Sequence, residues 1–187
     1  MDGWTKKRQI MRRYNITAEM YDTRYEEEQI AKIEAAMKNI NVNLRSLALD
    51  IGCGTGLLFQ HAAEMSTQLI GLDLSRKTLT QAKKRAEPFR NVHLVLADAD
   101  HIPFDNGLFD NVYAFTVLQN MPSPEETLAE IMRVTKSNST IVVTGLKKCF
   151  QRQSFMSLLE AAGLNPVKLE DEGNLKCYVA VCSKLAP

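Results

Sequence analysis

Three acids, each at the end of a short apolar run, and one glycine-rich turn hold most of this chain's chemical potential. The first run, Leu47–Ile51, contains Asp50 and leads into Gly52-Cys53-Gly54-Thr55-Gly56. Glycines let a backbone turn tightly and approach a ligand closely. A helix following the turn would aim its unpaired amides at that ligand. Two details separate this turn from a pyrophosphate-binding fingerprint. The third glycine of G-x-G-x-x-G would fall at position 57, which is Leu57. Asp50 also sets a carboxylate just before the glycines, which suits a ligand with a positive amino group and no pyrophosphate. The second run ends in Asp73, 23 residues after Asp50, where an acid can accept from two ribose hydroxyls. The third ends in Ala97-Asp98-Ala99-Asp100. There Asp98 can accept from the amino group of an adenine, and the Ala99 amide can donate to a ring nitrogen. Any one such acid is also a common turn or cap residue. Three in order, beside a glycine turn, describe a nucleoside site.

These residues need strands to present them, and the hydrophobic pattern supplies strands. Leu47–Ile51, Leu69–Asp73, Val92–Leu96, Asn111–Thr116 and Thr140–Thr144 read as buried strands separated by helical stripes. The helix after the glycine turn carries Leu57, Leu58, Ala62 and Met65. Ser75 can cap the next, with Leu79, Ala82 and Ala86 inward. Ser123-Pro124-Glu125-Glu126 is a helix start with its cap, its proline and its acid in place. A later helix carries Phe155, Leu158, Leu159 and Ala162 and stops at Gly163. Pro166–Leu169 and Leu175–Cys182 close the chain as strands, the last apolar on both faces. This alternation predicts an α/β fold: a seven-stranded, mostly parallel sheet with helices on both faces, binding its ligand beyond the carboxyl ends of the strands. Residues 1–43 form a separate leading segment and 44–187 the domain proper. The leader opens with Lys6, Lys7, Arg8, Arg12 and Arg13, continues through Tyr14, Tyr21 and Tyr25, and ends in a helix striped by Ile30, Ile33, Met37 and Ile40.

With 187 residues, 45% apolar, the chain suits one domain with a sizeable core. A net charge of +1 commits it to neither nucleic acid nor membrane. Cys53, Cys149, Cys177 and Cys182 form no C-x-x-C pair, so they read as reduced core thiols, with no metal site. No apolar run approaches a membrane span and no secretory leader is visible, which places the chain in the cytoplasm.

The segments LALDIGCGTG (Leu47 to Gly56), LIGLDLS (Leu69 to Ser75), LVLADADHIPF (Leu94 to Phe104) and FDNVYAFTVLQNM (Phe109 to Met121) resemble those of the class I S-adenosylmethionine-dependent methyltransferases, with a Rossmann-like sheet. The resemblance implies S-adenosyl-L-methionine as cofactor. It implies that Asp50, Gly52, Cys53, Gly54 and Gly56 surround the methionine moiety. Asp73 and Leu74 would hold the ribose, Asp98 and Ala99 the adenine, and Phe115 would lie near the cofactor. The segment RYNITAEMYDTRYEEEQIAKIEAAM is similar to the leader of small archaeal and eukaryotic methyltransferases acting on tRNA or rRNA. That similarity makes Tyr14, Tyr21 and Arg24 cofactor-covering candidates.

Methyl transfer from a sulfonium is an in-line displacement, so alignment matters more than a general base. In the segment after the fourth strand, many amide- and amine-directed relatives carry an Asn/Asp-Pro-Pro-aromatic motif; here it reads Gln119-Asn120-Met121-Pro122. Gln119 and Asn120 are the acceptor-side candidates for catalysis, able to bond a nucleobase or merely to cap the loop. His101 reads as a surface or packing residue. The leading basic cluster, with Trp4 and with Lys147, Lys148 and Arg152 after the fifth strand, points to an RNA acceptor, tRNA first. A small-molecule acceptor, a translation factor and a non-catalytic subunit are the alternatives. The family resemblance also implies a heterodimer with a small zinc-binding activator protein, pairing with the uncharged strand Val92–Leu96 as an exposed edge.

Overall fold

The computed structural model describes residues 3–17, 21–40, 46–171, 173 and 175–184. Two helices lead, α1 (Gly3–Thr17) and α2 (Tyr21–Met37). Then come β1 (Ser46–Ile51), α3 (Phe59–Ala62), β2 (Ser66–Asp73), α4 (Arg76–Ala86), β3 (Val92–Leu96) and β4 (Phe109–Ala114). A 3-10 turn at Leu118–Asn120 precedes α5 (Pro124–Val134), β5 (Thr135–Leu146), α6 (Arg152–Ala161), β6 (Leu164–Glu170) and β7 (Cys177–Lys184). The seven strands form one sheet in the order β3-β2-β1-β4-β5-β7-β6. All neighbours are parallel except β7, which runs antiparallel to both β5 and β6. The predicted Rossmann-like sheet is therefore present, with β3 at one edge.

Alternation along the strands divides the core in two. Leu49, Ile51, Val112, Ala114, Ile141 and Val143 pack against Leu128 and Ile131 of α5 and Phe155 and Leu159 of α6. Ala48, Leu69, Tyr113, Val142, Val179 and Val181 face the other way, onto Ile33 of α2, Phe59 of α3 and Ala82 of α4. The predicted caps form: Ser75 Oγ accepts from the Thr78 amide and Ser123 Oγ from the Glu126 amide.

Three expectations need correction. The helix after the glycine turn is a single turn, α3, because β2 already begins at Ser66 to pair with Ser46 and leaves little chain for a crossover. Leu57 and Leu58 are buried as predicted, but ahead of the helix. The basic leader is an ordered helix, α1, rather than a plain charged segment. Cys149 is exposed, whereas the other three cysteines are buried thiols. No described helix is long and apolar enough to cross a membrane.

Candidate functional site

Beyond the carboxyl ends of β1, β2, β3 and β4 lies a cavity of about 820 Å³, open solvent at its mouth included. That is within the usual size range for ligand sites. Gly52, Gly54, Asp73, Leu74, Asp98, Ala99 and Phe115 line it from the sheet side. From above come Lys7, Ile10, Met11 and Tyr14 of α1. A smaller cavity adjoins it across the glycine turn, lined by Asp50, Cys53, Phe115 and by Gln29 and Ile33 of α2.

The glycine turn is shaped for close approach. Gly54 sits at φ +56°, and a Cβ built there would meet nothing nearer than the Gly52 carbonyl oxygen at 4.0 Å. The open side of this residue is the cavity itself. Gly56, at φ +84°, is glycine for a different reason: its missing Cβ makes room for the Phe59 ring, 2.4 Å from where that Cβ would be. Gly56 therefore builds the turn without lining the cavity.

The three acids are treated differently. The Asp73 carboxylate accepts from the Gly54 amide at 3.0 Å, the Ser75 amide at 2.7 Å and Thr78 Oγ1 at 3.0 Å. Burial outweighs these bonds and holds its pKa above the ordinary value. Asp50 is 3% exposed. Burial first, and then the charge of Asp73, push its carboxyl well above the ordinary range, with no described cation to offset them. Asp98 has a cation: Lys7 Nζ lies 2.8 Å from its Oδ1 and 2.6 Å from its Oδ2.

On the side of β4, Thr116 adopts φ +62°, a strained conformation for a β-branched residue. Its amide donates to Thr144 Oγ1 at 2.7 Å and its hydroxyl to Gln29 Oε1 at 3.1 Å. Asn120 Nδ2 donates to the Thr116 carbonyl at 2.8 Å and to Tyr14 Oη at 3.1 Å, while Asn120 Oδ1 accepts from Arg13 at 3.3 Å. Asn120 lines the main cavity with its amide committed to this lattice; Gln119 lines neither cavity, and its Oε1 is buried without a described partner. The side chains of Tyr21 and Arg24 lie outside the described residues. His101 is exposed.

The leading basic cluster splits. Arg8, Arg12 and Arg13 are exposed. Lys6 instead donates to the Met121 carbonyl, and Lys7 is buried. Those two lysines are turned inward rather than available to phosphates. The pattern was visible in sequence: Lys7, Ile10, Met11 and Tyr14 follow i, i+3, i+4, i+7, one face of a helix. Lys147 and Arg152 share Asp171 at 2.7 and 3.5 Å, which leaves exposed Lys148 least compensated of that group.

S-adenosylmethionine can be tested against these residues. It carries a cationic amino group, a ribose diol and an adenine. The site has a buried carboxyl without a described counter-charge, a rigidly held acid at the second strand end, and a third acid followed by Ala99 at the cavity wall. The donor and acceptor chemistry fits.

Comparisons with known proteins agree. Residues 49–143 match the family described as "Methyltransferase domain". The malonyl-[acyl-carrier protein] O-methyltransferase of Marinomonas sp. is 31% identical over 147 residues, 76% of this chain and 53% of that protein. The demethylmenaquinone methyltransferase of Staphylococcus saprophyticus is 36% identical over 109 residues, 57% of this chain and 47% of that protein. The chain thus spans about half the length of these curated relatives. Among solved structures, the methyltransferase in complex with the Haloferax volcanii Trm112 methyltransferase activator superposes with TM-score 0.81 at 16% identity, covering 92% of this chain and 98% of that one. A SAM-dependent methyltransferase from Aquifex aeolicus superposes with TM-score 0.80 at 15% identity, covering 91% of this chain and 98% of that one. Both likenesses concern the fold.

Proposed function

The chain belongs to the methyltransferase domain family and its cofactor is S-adenosylmethionine; on that footing we propose that it methylates RNA, with tRNA as the first acceptor to test. The observation that carries this reading is the outer face of α1. Arg8, Arg12 and Arg13 are exposed there, and Trp4 is 48% exposed. The same helix roofs the cavity, and Arg13 bonds Asn120 at its acceptor side. A basic, aromatic rim beside a methyl-donor site suits phosphates and an unstacked base.

When bound, S-adenosylmethionine supplies a methyl group already activated by its cationic sulfur. The protein's part is to orient. On this reading Gly52, Cys53, Gly54 and Gly56 shape the methionine end and Asp50 receives its amino group. Asp73 and Leu74 hold the ribose, and Asp98 and Ala99 read the adenine. Phe115 excludes water between the two cavities. Asn120 fixes Tyr14 and Arg13 at the acceptor side, with Gln119 beside it in the same turn. Orientation of this kind can contribute roughly 7–11 kcal/mol to a displacement. In this division α1 and α2 cover the site and residues 44–187 are the catalytic unit, with Tyr21 and Arg24 kept as cover candidates.

The partner reading attaches to β3. It is an edge strand with a partly exposed burial pattern, and Leu96 is 48% exposed. An uncharged edge of this kind invites strand addition. The partner we propose is the small zinc-binding activator that the family resemblance implies, and a neighbour of the same fold was solved in complex with the Trm112 methyltransferase activator.

A small-molecule acceptor is the second reading. Ile10 and Met11 give the cavity an apolar roof, and the curated relatives are named for malonyl-carrier-protein and demethylmenaquinone substrates. Methyl transfer from radiolabelled S-adenosylmethionine into tRNA, rRNA, protein and small-molecule extract separates the two. Label in RNA that is lost in Arg8→Glu/Arg12→Glu, with cofactor binding intact, is the expected result. Label confined to small molecules contradicts the RNA reading.

A further inference from the structure

Lys7 is the residue that nothing in the nucleoside-site pattern anticipates. It lies on the inner stripe of α1, is 8% exposed, and lines the cavity. Its ammonium contacts both oxygens of Asp98 and also Asp100 Oδ2 at 2.5 Å. The two carboxylates are themselves shielded, with side chains 14% and 4% exposed. Lys7 is thus a cation shared by two carboxylates in a shielded corner. Burial opposes a charged Lys7, but its bonds to Asp100 and Asp98 prevail and its pKa is raised.

Lys7 leaves an acceptor position for a ligand. Asp98 Oδ1 takes Lys7 and the Asp100 amide at 3.1 Å. Asp98 Oδ2 takes Lys7 alone among the described residues, so one of its two lone pairs stays open on a residue that lines the cavity. Asp100 is spent on the other side, where its Oδ1 accepts from Thr127 Oγ1 at 2.5 Å. Asp100 thus holds the cation in place, and Asp98 has one acceptor position to offer.

The contact also crosses from one part of the chain to another. α1 is pinned at its far end by Asn15, which accepts from Ser75 Oγ at 2.6 Å, and toward β4 by Lys6 on the Met121 carbonyl. Lys7 pins it at the end of β3. The helix that roofs the cavity is therefore tied to the acid that faces the base.

We propose that Lys7 is a positioning residue for the nucleobase end of the cofactor: by bridging Asp98 and Asp100 it fixes the Asp98 carboxylate in place, leaves one of its acceptor positions open to the base, and couples closure of α1 to that acid. This rests on the cavity being the S-adenosylmethionine site. The role is indirect, since Lys7 acts through Asp98.

The test is calorimetric titration of the full chain with S-adenosylmethionine and with 5′-methylthioadenosine, which has the base and ribose but no amino acid. Hydrogen exchange of the α1 amides is followed in parallel. In Lys7→Met the affinity for both ligands falls by the same factor, about tenfold, as expected when a shielded carboxylate pair loses its cation. The α1 amides exchange faster and gain less protection when ligand is added. Lys7→Arg keeps the charge and stays within about threefold of wild type, given the different head-group geometry. Should Lys7→Met melt below the assay temperature, Lys7→Gln removes the charge while keeping a polar side chain, and the same result is expected. Unchanged affinity and unchanged α1 protection in the uncharged variants overturn the role of Lys7. A loss confined to S-adenosylmethionine, with the nucleoside unaffected, overturns it too, because the defect then lies at the amino-acid end. Wild-type protein that binds neither ligand overturns the cofactor-site reading itself and is distinguishable from both.

Discussion

The ends of β1 and β3 each present an aspartate to the same ligand region, and the fold handles the two in opposite ways. At β1, Asp50 is buried and its carboxyl is pushed well above its ordinary range by burial and by Asp73. At β3, Asp98 is held by Lys7 from α1. One corner lacks a described cation and the other has one supplied by the chain. On the proposed reading, the difference follows from what each corner recognises. A cationic amino group can neutralise Asp50 on arrival, whereas a neutral base cannot neutralise Asp98. A carboxylate that reads a neutral base needs its counter-charge from the protein.

The largest expected effect is at Asp50. Asp50→Asn lowers affinity for S-adenosylmethionine by about 100-fold, as an unshared buried charge interaction of two or more kcal/mol implies. The same change stabilises the free protein, because a carboxylate whose folded pKa is raised costs stability at neutral pH. The sign is fixed by that shift: stability from Asp50 is full below its unfolded pKa and is lost as pH rises through the folded one. Thermal melts of the free protein would then rise by about 2–4 °C for each kcal/mol recovered. Asp98→Asn should do the reverse to stability. It leaves Lys7 with Asp100 alone, so the free protein melts lower, while affinity drops about tenfold. Equal signs for the two variants in the melting experiment would break the comparison.

Proton linkage sharpens it further. If the cofactor's amino group binds at Asp50 as proposed, it brings a positive group next to a carboxyl of raised pKa, so the bound pKa falls and any proton held there is released. Affinity for S-adenosylmethionine therefore declines as pH drops through the raised Asp50 pKa. Calorimetry in two buffers of different ionisation heat reads the released proton directly, and Asp50→Asn abolishes it. A smaller effect is expected at Gly54→Ala. Its left-handed φ costs about 1–2 kcal/mol for a side chain, and the added methyl enters the open space above the turn. Melting temperature and affinity should both fall modestly.

Most of the sheet could be read from sequence because buried parallel strands are apolar runs, and β3 was bounded at Val92 and Leu96 correctly. The caps at Ser75 and Ser123 were legible for a local reason: each satisfies an amide three residues on. Strand ends were less so. β5 starts at Thr135, five residues before its apolar stretch, because pairing continues past the buried part. The acids of the site were visible by position, but their electrostatic state was not. Burial sets it at Asp50 and Asp73, and the cation at Asp98 comes from α1, whose stripe of Lys7, Ile10, Met11 and Tyr14 is overlooked when its lysines are read as a surface charge cluster. Thr116 was expected to end the fourth strand, but β4 stops at Ala114 and Thr116 is left-handed, a conformation with no sequence signature in a threonine.

The most direct test of this account is a pair of titrations on the wild-type chain and on Asp50→Asn, one with S-adenosylmethionine and one with 5′-methylthioadenosine. The account predicts that wild type binds both ligands, and that Asp50→Asn loses about two orders of magnitude for S-adenosylmethionine while holding the nucleoside unchanged. Equal affinities of the variant and wild type for S-adenosylmethionine would contradict it.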